Sequence, residues 1–397
     1  MKNLVIRSGS LRMGGLERVL IEMLQNLDLK KYKISLIIED NSGEDNIFLN
    51  QVPKEINIYF LKSEELIAKT HYHRERKKNL FNKFMYNYLM SKEHSIVVKR
   101  TQEVLKEIEK KNGEIDLFID YDWGARRYVD KLLLKKSIVW IHNSVPKMLK
   151  KPSKIKRFGK NLDKYDVVVA ICDEMKKELE STYPYLKNKI KRIYNPFNFN
   201  RIERLGEDSS ELSQKDLDLL KDKYILAVSR LDTTQKDYKT LLEAFKLLKE
   251  DKMMEKLYIV GDGPSKKEIQ NMIDDMELQN EVLLLGQRSN PYIWMKNSQL
   301  FVHSSKYEGF GLVLVEAMSL GKAIVASDCE VGPKEILGEG KYGKVFPVGD
   351  SLTLYKELKL LLENTFLKDE FEKKSQIRAK NFDAKVVIKE YENLIDA

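Results

Sequence analysis

Short apolar runs and amphipathic stretches alternate along the whole chain, and the alternation starts afresh near its middle. In the first half, residues 3–7, 34–39, 56–61, 115–120, 137–141 and 166–171 read as strands. A helical pattern fills 15–27, and a long basic helical region lies between the third and fourth strands. The second half repeats the theme, with strands at 224–229, 257–260, 282–285, 299–303 and 323–326 and helices at 238–249, 266–276 and 312–320. Strands that are apolar on both faces belong in parallel sheets covered by helices, so the pattern predicts an α/β protein with two such sheets. A strand-like 190–194 ends at Asn195-Pro196-Phe197, where the proline keeps Asn195 out of the helical region and a charged segment follows. The expected domains are therefore 1–195 and 196–380, with a final helical segment at 381–397. No internal repeat is visible, so the halves are analogous folds and not copies.

Composition narrows the setting. At 397 residues the chain is long enough for two domains, each with its own core. Two cysteines, Cys172 and Cys329, cannot build a disulfide framework, which points to a reducing compartment. The first residues run into a strand without an apolar leader, and no stretch reaches the length of a spanning helix. The expected location is cytoplasmic, either free or peripheral on the inner face of the cell membrane. The net charge of +9 is concentrated in two places. Residues 69–100 carry Arg74, Arg76, Lys77 and Lys78 beside Phe81, Phe84 and Tyr88, and 147–160 carry seven Lys and Arg with no acid. Cations beside an apolar, aromatic stripe suit an anionic membrane surface, and they also suit a polyphosphate. Solvated surface lysines would look the same in a lysine-rich chain. Nucleic-acid motifs are absent, so nucleic acid is not an expected partner.

Ligands of open α/β sheets bind beyond the carboxyl ends of the strands, so residues just past each strand matter most. Arg230 and Lys236 follow the strand at 224–229; Gly261-Asp262-Gly263-Pro264 follows 257–260, and Arg288 follows 282–285. After 299–303 comes Glu308-Gly309-Phe310-Gly311-Leu312, entering a helix that carries Glu316, so two glutamates are separated by seven residues. Gly309 and Gly311 let the backbone approach a ligand closely, and the helix start favours an anion. In the first half, Gly14-Gly15 opens a helix after the first strand, without the spacing of a dinucleotide fingerprint, and His142 ends the strand at 137–141. Each has a plainer reading as a turn, a solvated charge or a buried histidine. Asp120-Tyr121-Asp122 mimics a metal-holding Asp-x-Asp, but it would leave Arg230, Lys236 and the glutamate pair unexplained. No Cys or His spacing forms a zinc site, and no metal is expected.

Together these residues resemble family 4 retaining glycosyltransferases, whose Glu-x7-Glu signature matches Glu308 and Glu316. The resemblance implies a GT-B fold: two Rossmann-like domains with parallel sheets facing a central cleft, and a C-terminal helix crossing back to the first domain. It implies that Glu308 holds hydroxyls of the transferred sugar and Glu316 the ribose. Arg230 and Lys236 would grip the diphosphate with the backbone of Gly309, Phe310, Gly311 and Leu312. Gly261, Gly263 and Arg288 would lie near the nucleotide, Gly14 and Gly15 would face the diphosphate, and His142 would bond the donor sugar or leaving group. Many members place the lysine one residue nearer the arginine, a departure that bears on Lys236. The similarity runs from Gly14-Gly15 to the last helical segment and is weakest over 63–100, which would face the acceptor. The run from Asn290 to Ile336 looks most like enzymes that extend lipid-linked or surface glycans. The expected activity is metal-independent transfer of a hexose or N-acetylhexosamine from a nucleotide diphosphate, UDP foremost, to such a glycan, with no cofactor. A nucleotide-sugar epimerase shares the fold, and a basic nucleic-acid-binding protein is the alternative from another class.

Overall fold

The structure is a computed structural model that describes residues 1–397. It divides into two compact units: Met1–Ile171, Lys176–Pro196 and Ile388–Ala397 form the first, and Cys172–Met175 with Phe197–Val387 the second.

The first unit is built on seven parallel strands: β1 (Lys2–Ser8), β2 (Tyr32–Asp40), β3 (Asn57–Lys62), β4 (Leu117–Asp120), β5 (Ser137–Ile141), β6 (Val167–Ala170) and β7 (Ile190–Arg192). Their order is β3-β2-β1-β4-β5-β6-β7. The chain winds outward from β1 to β3 and then returns to β4 on the other side of β1, with Val5 opposite Phe118. That reversal opens a crevice past the carboxyl ends of β1 and β4. One face of the sheet buries Val5, Ile37 and Phe118 against Val104, Leu105 and Ile108.

Helix α1 (Gly15–Asn26) follows β1, and the basic region between β3 and β4 forms α2 (Glu64–Glu75) and α3 (Leu80–Asn112). Helix α3 has 33 residues, about 50 Å of rise. From Leu89 onward it buries Glu93, Val97, Thr101, Val104, Leu105 and Ile108, spaced by three or four, so that one stripe faces the sheet. Its first two turns bury nothing. Leu80, Phe81, Phe84 and Tyr88 are all more than half exposed there. The final helix, Ala384–Asp396, contributes its second half to this unit: Tyr391 stacks on Trp140 at 5.3 Å, and Lys2 Nζ donates to the Ile395 carbonyl at 3.0 Å.

The second unit holds six parallel strands, β8 (Tyr224–Val228), β9 (Lys256–Val260), β10 (Val282–Gly286), β11 (Leu300–His303), β12 (Ile324–Ser327) and β13 (Lys344–Phe346), in the order β10-β9-β8-β11-β12-β13. Here the reversal falls between β8 and β11. Ile225, Ala227, Leu257, Ile259, Val302 and Val325 bury one face of the sheet against the helix Tyr238–Glu250. The other face carries Tyr224 stacked on Tyr258 at 4.5 Å, with Trp294 edge-on to Tyr258. Most strands begin and end within two residues of the sequence-based expectation. The exception is β13, three residues long and too short to register as a period.

Candidate functional site

The loops after β8 and β11 lie on either side of the reversal in the second sheet, and hydrogen bonds tie them together. Asp237 N–H donates to the Ser304 carbonyl at 3.0 Å, Lys306 N–H to the Gln235 carbonyl at 2.8 Å, and Lys236 forms an isolated bridge with Ser305. This pairing carries Lys236 to Glu308, and the Lys236 ammonium bonds the Glu308 carboxylate. Both residues are only 8% exposed, so each needs the other's charge. His303 Nε2 at 2.9 Å and Ser305 Oγ at 2.7 Å reach the same carboxylate oxygen. Burial by itself would raise the Glu308 carboxyl, yet Lys236 and His303 outweigh it and hold it well below the ordinary carboxylate range. Burial, then the Lys236 charge, push His303 the other way and keep it neutral, so it acts as an N–H donor. One oxygen, Oε1, is thereby committed to three partners, while Oε2 has only a long contact from Gln235 at 3.5 Å. That oxygen can still accept from a ligand hydroxyl.

The helix Leu312–Ser319 starts at Gly311, whose φ of +97° lies in the left-handed region that glycine enters freely. This bend ends the loop and starts the helix. Glu316 sits past the first turn, and Tyr292 donates its hydroxyl to it at 3.0 Å; Arg201 in turn reaches that hydroxyl at 3.3 Å. Arg230 is exposed and makes no ion pair. Arg288 lies 2.8 Å from Asp216 and over the Trp294 ring, so its guanidinium already has a carboxylate partner. Gly261 and Gly263 have a local reason: a Cβ on either would come within 2.4 Å of a backbone oxygen, of Ser229 and Leu231 respectively. They let the turn after β9 pack on the loop carrying Arg230 and Lys236. Phe310 is buried and edge-on to Phe382, which leaves Gly309, Phe310, Gly311 and Leu312 to act through their backbone.

In the first unit, the reversal between β1 and β4 holds a different assembly. Arg7, 1% exposed, is bonded by Glu39, Asp120 and Asp122. Asp120 also accepts from Ala125 N–H at 2.8 Å and from the Tyr165 hydroxyl. The carboxylates of Asp120-Tyr121-Asp122 are thus engaged with a guanidinium. His142 immediately follows β5, and its Nε2 lies 2.7 Å from the Tyr121 carbonyl. A carbonyl can only accept, so Nε2 carries the proton and Nδ1 presents a lone pair. Burial lowers the imidazole to about 4, so the ring is neutral at ordinary pH. Gly14, extended at φ −174°, and Gly15 precede and open α1, where Glu17 accepts from Ser10 at 2.8 Å.

Several residues of these sites had no sequence signal. His303 and Ser305 stood inside a strand end and a polar loop, and Arg201 stood in the charged segment after Pro196. Only the folded chain sets the first two against Glu308.

Comparison with known proteins places these residues in a family. The family model for glycosyl transferases group 1 matches residues 208–381, which includes both glutamates, Arg230 and Lys236. An uncharacterized glycosyltransferase of Methanocaldococcus jannaschii is 31% identical over 343 residues, covering 76% of this chain and 83% of its own. The chain belongs to the group 1 glycosyltransferases. A Campylobacter jejuni relative of this glycosyltransferase, 32% identical over 220 residues (55% of this chain, 57% of its own), is an N-acetylgalactosaminyltransferase acting on a diacetylbacillosaminyl-diphospho-undecaprenol glycan. Among solved structures, Anabaena HepE in complex with UDP superposes with a TM-score of 0.74 at 19% identity, with 100% of each chain covered. The enzyme therefore has the GT-B fold, with its two Rossmann-like units.

Proposed function

We propose that this glycosyltransferase moves a hexose or N-acetylhexosamine from a UDP-linked donor to a growing lipid-linked or surface glycan, with retention at the anomeric carbon and without a metal. The convergence of Lys236, His303 and Ser305 on one oxygen of Glu308 carries the reading. It fixes the free oxygen of a charged carboxylate where a sugar hydroxyl can donate to it, beside a lysine and a helix N-terminus suited to phosphate. Arg230, exposed and unpaired, adds a second cation for the diphosphate. Glu316 would take the ribose hydroxyls, and the neutral Nδ1 of His142 would accept from the donor sugar. The backbone of Gly14 and Gly15 would meet the diphosphate from the first unit.

In the reaction the bond between the anomeric carbon and the β-phosphate oxygen breaks, and its electron pair leaves with UDP. The acceptor oxygen bonds to the same face, and its proton passes to the departing phosphate oxygen. Charge therefore grows on the β-phosphate, where Arg230, Lys236 and the helix start can stabilise it. UDP-bound HepE and the diphospho-undecaprenol substrate named for the Campylobacter relative support the choice of donor and acceptor. The exposed aromatic turns of α3, beside Arg74, Arg76, Lys77 and Lys78, support a peripheral membrane location; no helix is long and apolar enough to cross a membrane.

The test is a panel of nucleotide sugars offered with and without a polyprenyl-diphosphate glycan, in EDTA and in manganese. The expected result is acceptor-dependent UDP release, equal in both media, with an α-linked product from an α-linked donor. Conversion of the donor sugar without any acceptor would replace this reading with an epimerase. Loss of activity in EDTA, restored by manganese, would remove the metal-free mechanism.

A further inference from the structure

A cavity of about 180 Å³ opens beside the first sheet, at the carboxyl ends of β2 and β3, with α3 as one wall and the turn after β4 as another. Charge lines it unevenly. Lys62 sits 2.8 Å from Glu39 and 3.3 Å from Glu93, and both acids have further partners, Arg7 for Glu39 and the Thr70 hydroxyl for Glu93. Those charges answer one another. Arg126 and Arg127, adjacent in the turn after β4, have no carboxylate partner. Arg126 donates to the Trp123 carbonyl at 2.8 Å and lies over the Phe158 ring at 5.6 Å, and Arg127 is exposed. Burial first, and the Arg127 charge second, both act against the charged form of Arg126.

No carboxylate lies within ion-pair distance of either guanidinium; Asp120 and Asp122, both already paired with Arg7, favour the charged Arg126 less than burial and Arg127 oppose it, and an anion between the two arginines turns their repulsion into charge-assisted hydrogen bonds. The free space equals roughly six waters, room for a phosphate and part of a sugar or polyol, and too little for a nucleotide. The cavity also borders Met90 and His94, each six residues along α3, nearly two turns, from the exposed Phe84 and Tyr88 respectively. An anion held here would sit next to an apolar surface.

We infer that this cavity is an anion subsite for the acceptor, in which a phosphate carried by the growing glycan binds between Arg126 and Arg127. The inference rests on the glycosyltransferase reading above and names a chemical property of its acceptor. The phosphate can come from a lipid headgroup or from a polyol-phosphate chain, and the chemistry at the arginines is the same for both.

Calorimetry on the full chain, saturated with UDP so that the donor site is filled, tests it with inorganic phosphate, decyl phosphate and glycerol 3-phosphate. Binding of at least one organic phosphate is expected to persist in UDP and to weaken tenfold or more in the double variant Arg126→Gln, Arg127→Gln. Arg127→Gln alone, at an exposed side chain that cannot disturb the core, should weaken it about threefold, roughly 0.65 kcal/mol. UDP affinity should not change in either variant. Tighter binding of decyl phosphate supports the subsite with a lipid-borne source, and tighter binding of glycerol 3-phosphate supports it with a polyol source. Equal phosphate affinity in wild type and both variants, loss of phosphate binding on UDP saturation, or no binding of any probe to the wild type would each overturn the inference. A chain that binds phosphate at the arginines but not UDP would instead count against the donor reading, so the two failures are distinguishable.

Discussion

Glu308 and Glu316 are chemically identical groups that the structure treats differently, and their substitution should separate them. Glu308→Gln removes the charge that Lys236 balances and the acceptor offered to the donor sugar, so turnover should fall by a hundredfold or more, about 2.7 kcal/mol of transition-state stabilisation. UDP affinity should hold or rise, because Lys236 is no longer tied to a carboxylate. Glu316→Gln should chiefly weaken UDP. Calorimetry with UDP beside initial rates checks both; equal losses of UDP affinity in the two variants would contradict the assignment. His142 supplies a second prediction. Its imidazole lies near 4 in the folded chain against an ordinary 6.5, so between those values the unfolded chain binds more protons. Stability should therefore fall as pH drops from 6.5 towards 4, by roughly 3 kcal/mol from this group, and level off below. His303, also lowered by burial, adds in the same direction. Urea midpoints at several pH values, compared with His142→Gln, measure the share; an unchanged slope in the variant would refute it. Glu308, Lys236 and His142 stand out in the sequence because each lies past a strand end, and Glu316 because it follows Glu308 by eight positions into the next helix. His303 and Ser305 were not, since their role exists only as distances to Glu308.

At the scale of elements, α3 is the most unusual piece. Its buried stripe starts at Leu89, and the turns before it expose Phe81, Phe84 and Tyr88 next to the cations of the α2–α3 turn. Two of those cations rest on aromatic rings, Arg76 over Tyr72 at 3.9 Å and Lys77 over Tyr86 at 3.5 Å, which shapes a joint apolar and basic surface. Vesicles with anionic lipid should bind the protein and release it in high salt. Neutralising Arg74, Arg76, Lys77 and Lys78 should abolish that binding at about 1 kcal/mol per charge, with rates on a short water-soluble acceptor nearly unchanged. Undiminished sedimentation of the variant with vesicles would rule out the membrane role. The composition of this region was plain from the sequence. Its division into a packed and a protruding half was not, because periodicity continues through both and only the sheet decides where the stripe finds a partner.

For the whole molecule, two cores with separate sheets mean that unfolding need not be one transition. If the UDP contacts lie mainly in the second unit, calorimetric scans should resolve two transitions, and UDP at a hundred times its Kd should raise chiefly the second unit's by about 2.7 kcal/mol. Equal shifts of both transitions would speak for a donor site shared evenly. From the sequence alone came the α/β class, the restart near Pro196 and the positions of charged residues and glycine turns past strand ends, because apolar runs, glycines and charges are local patterns. Tertiary structure alone decided the strand order that reverses at β1/β4 and β8/β11, and with it which loops meet. It alone set Lys236 against Glu308, committed Arg288 to Asp216 and Asp120 to Arg7, and left Arg126 and Arg127 outside any ion pair. The reason is physical: a buried charge takes whichever opposite charge the fold brings within reach, and that partner lies 72 to 113 residues away in these pairs.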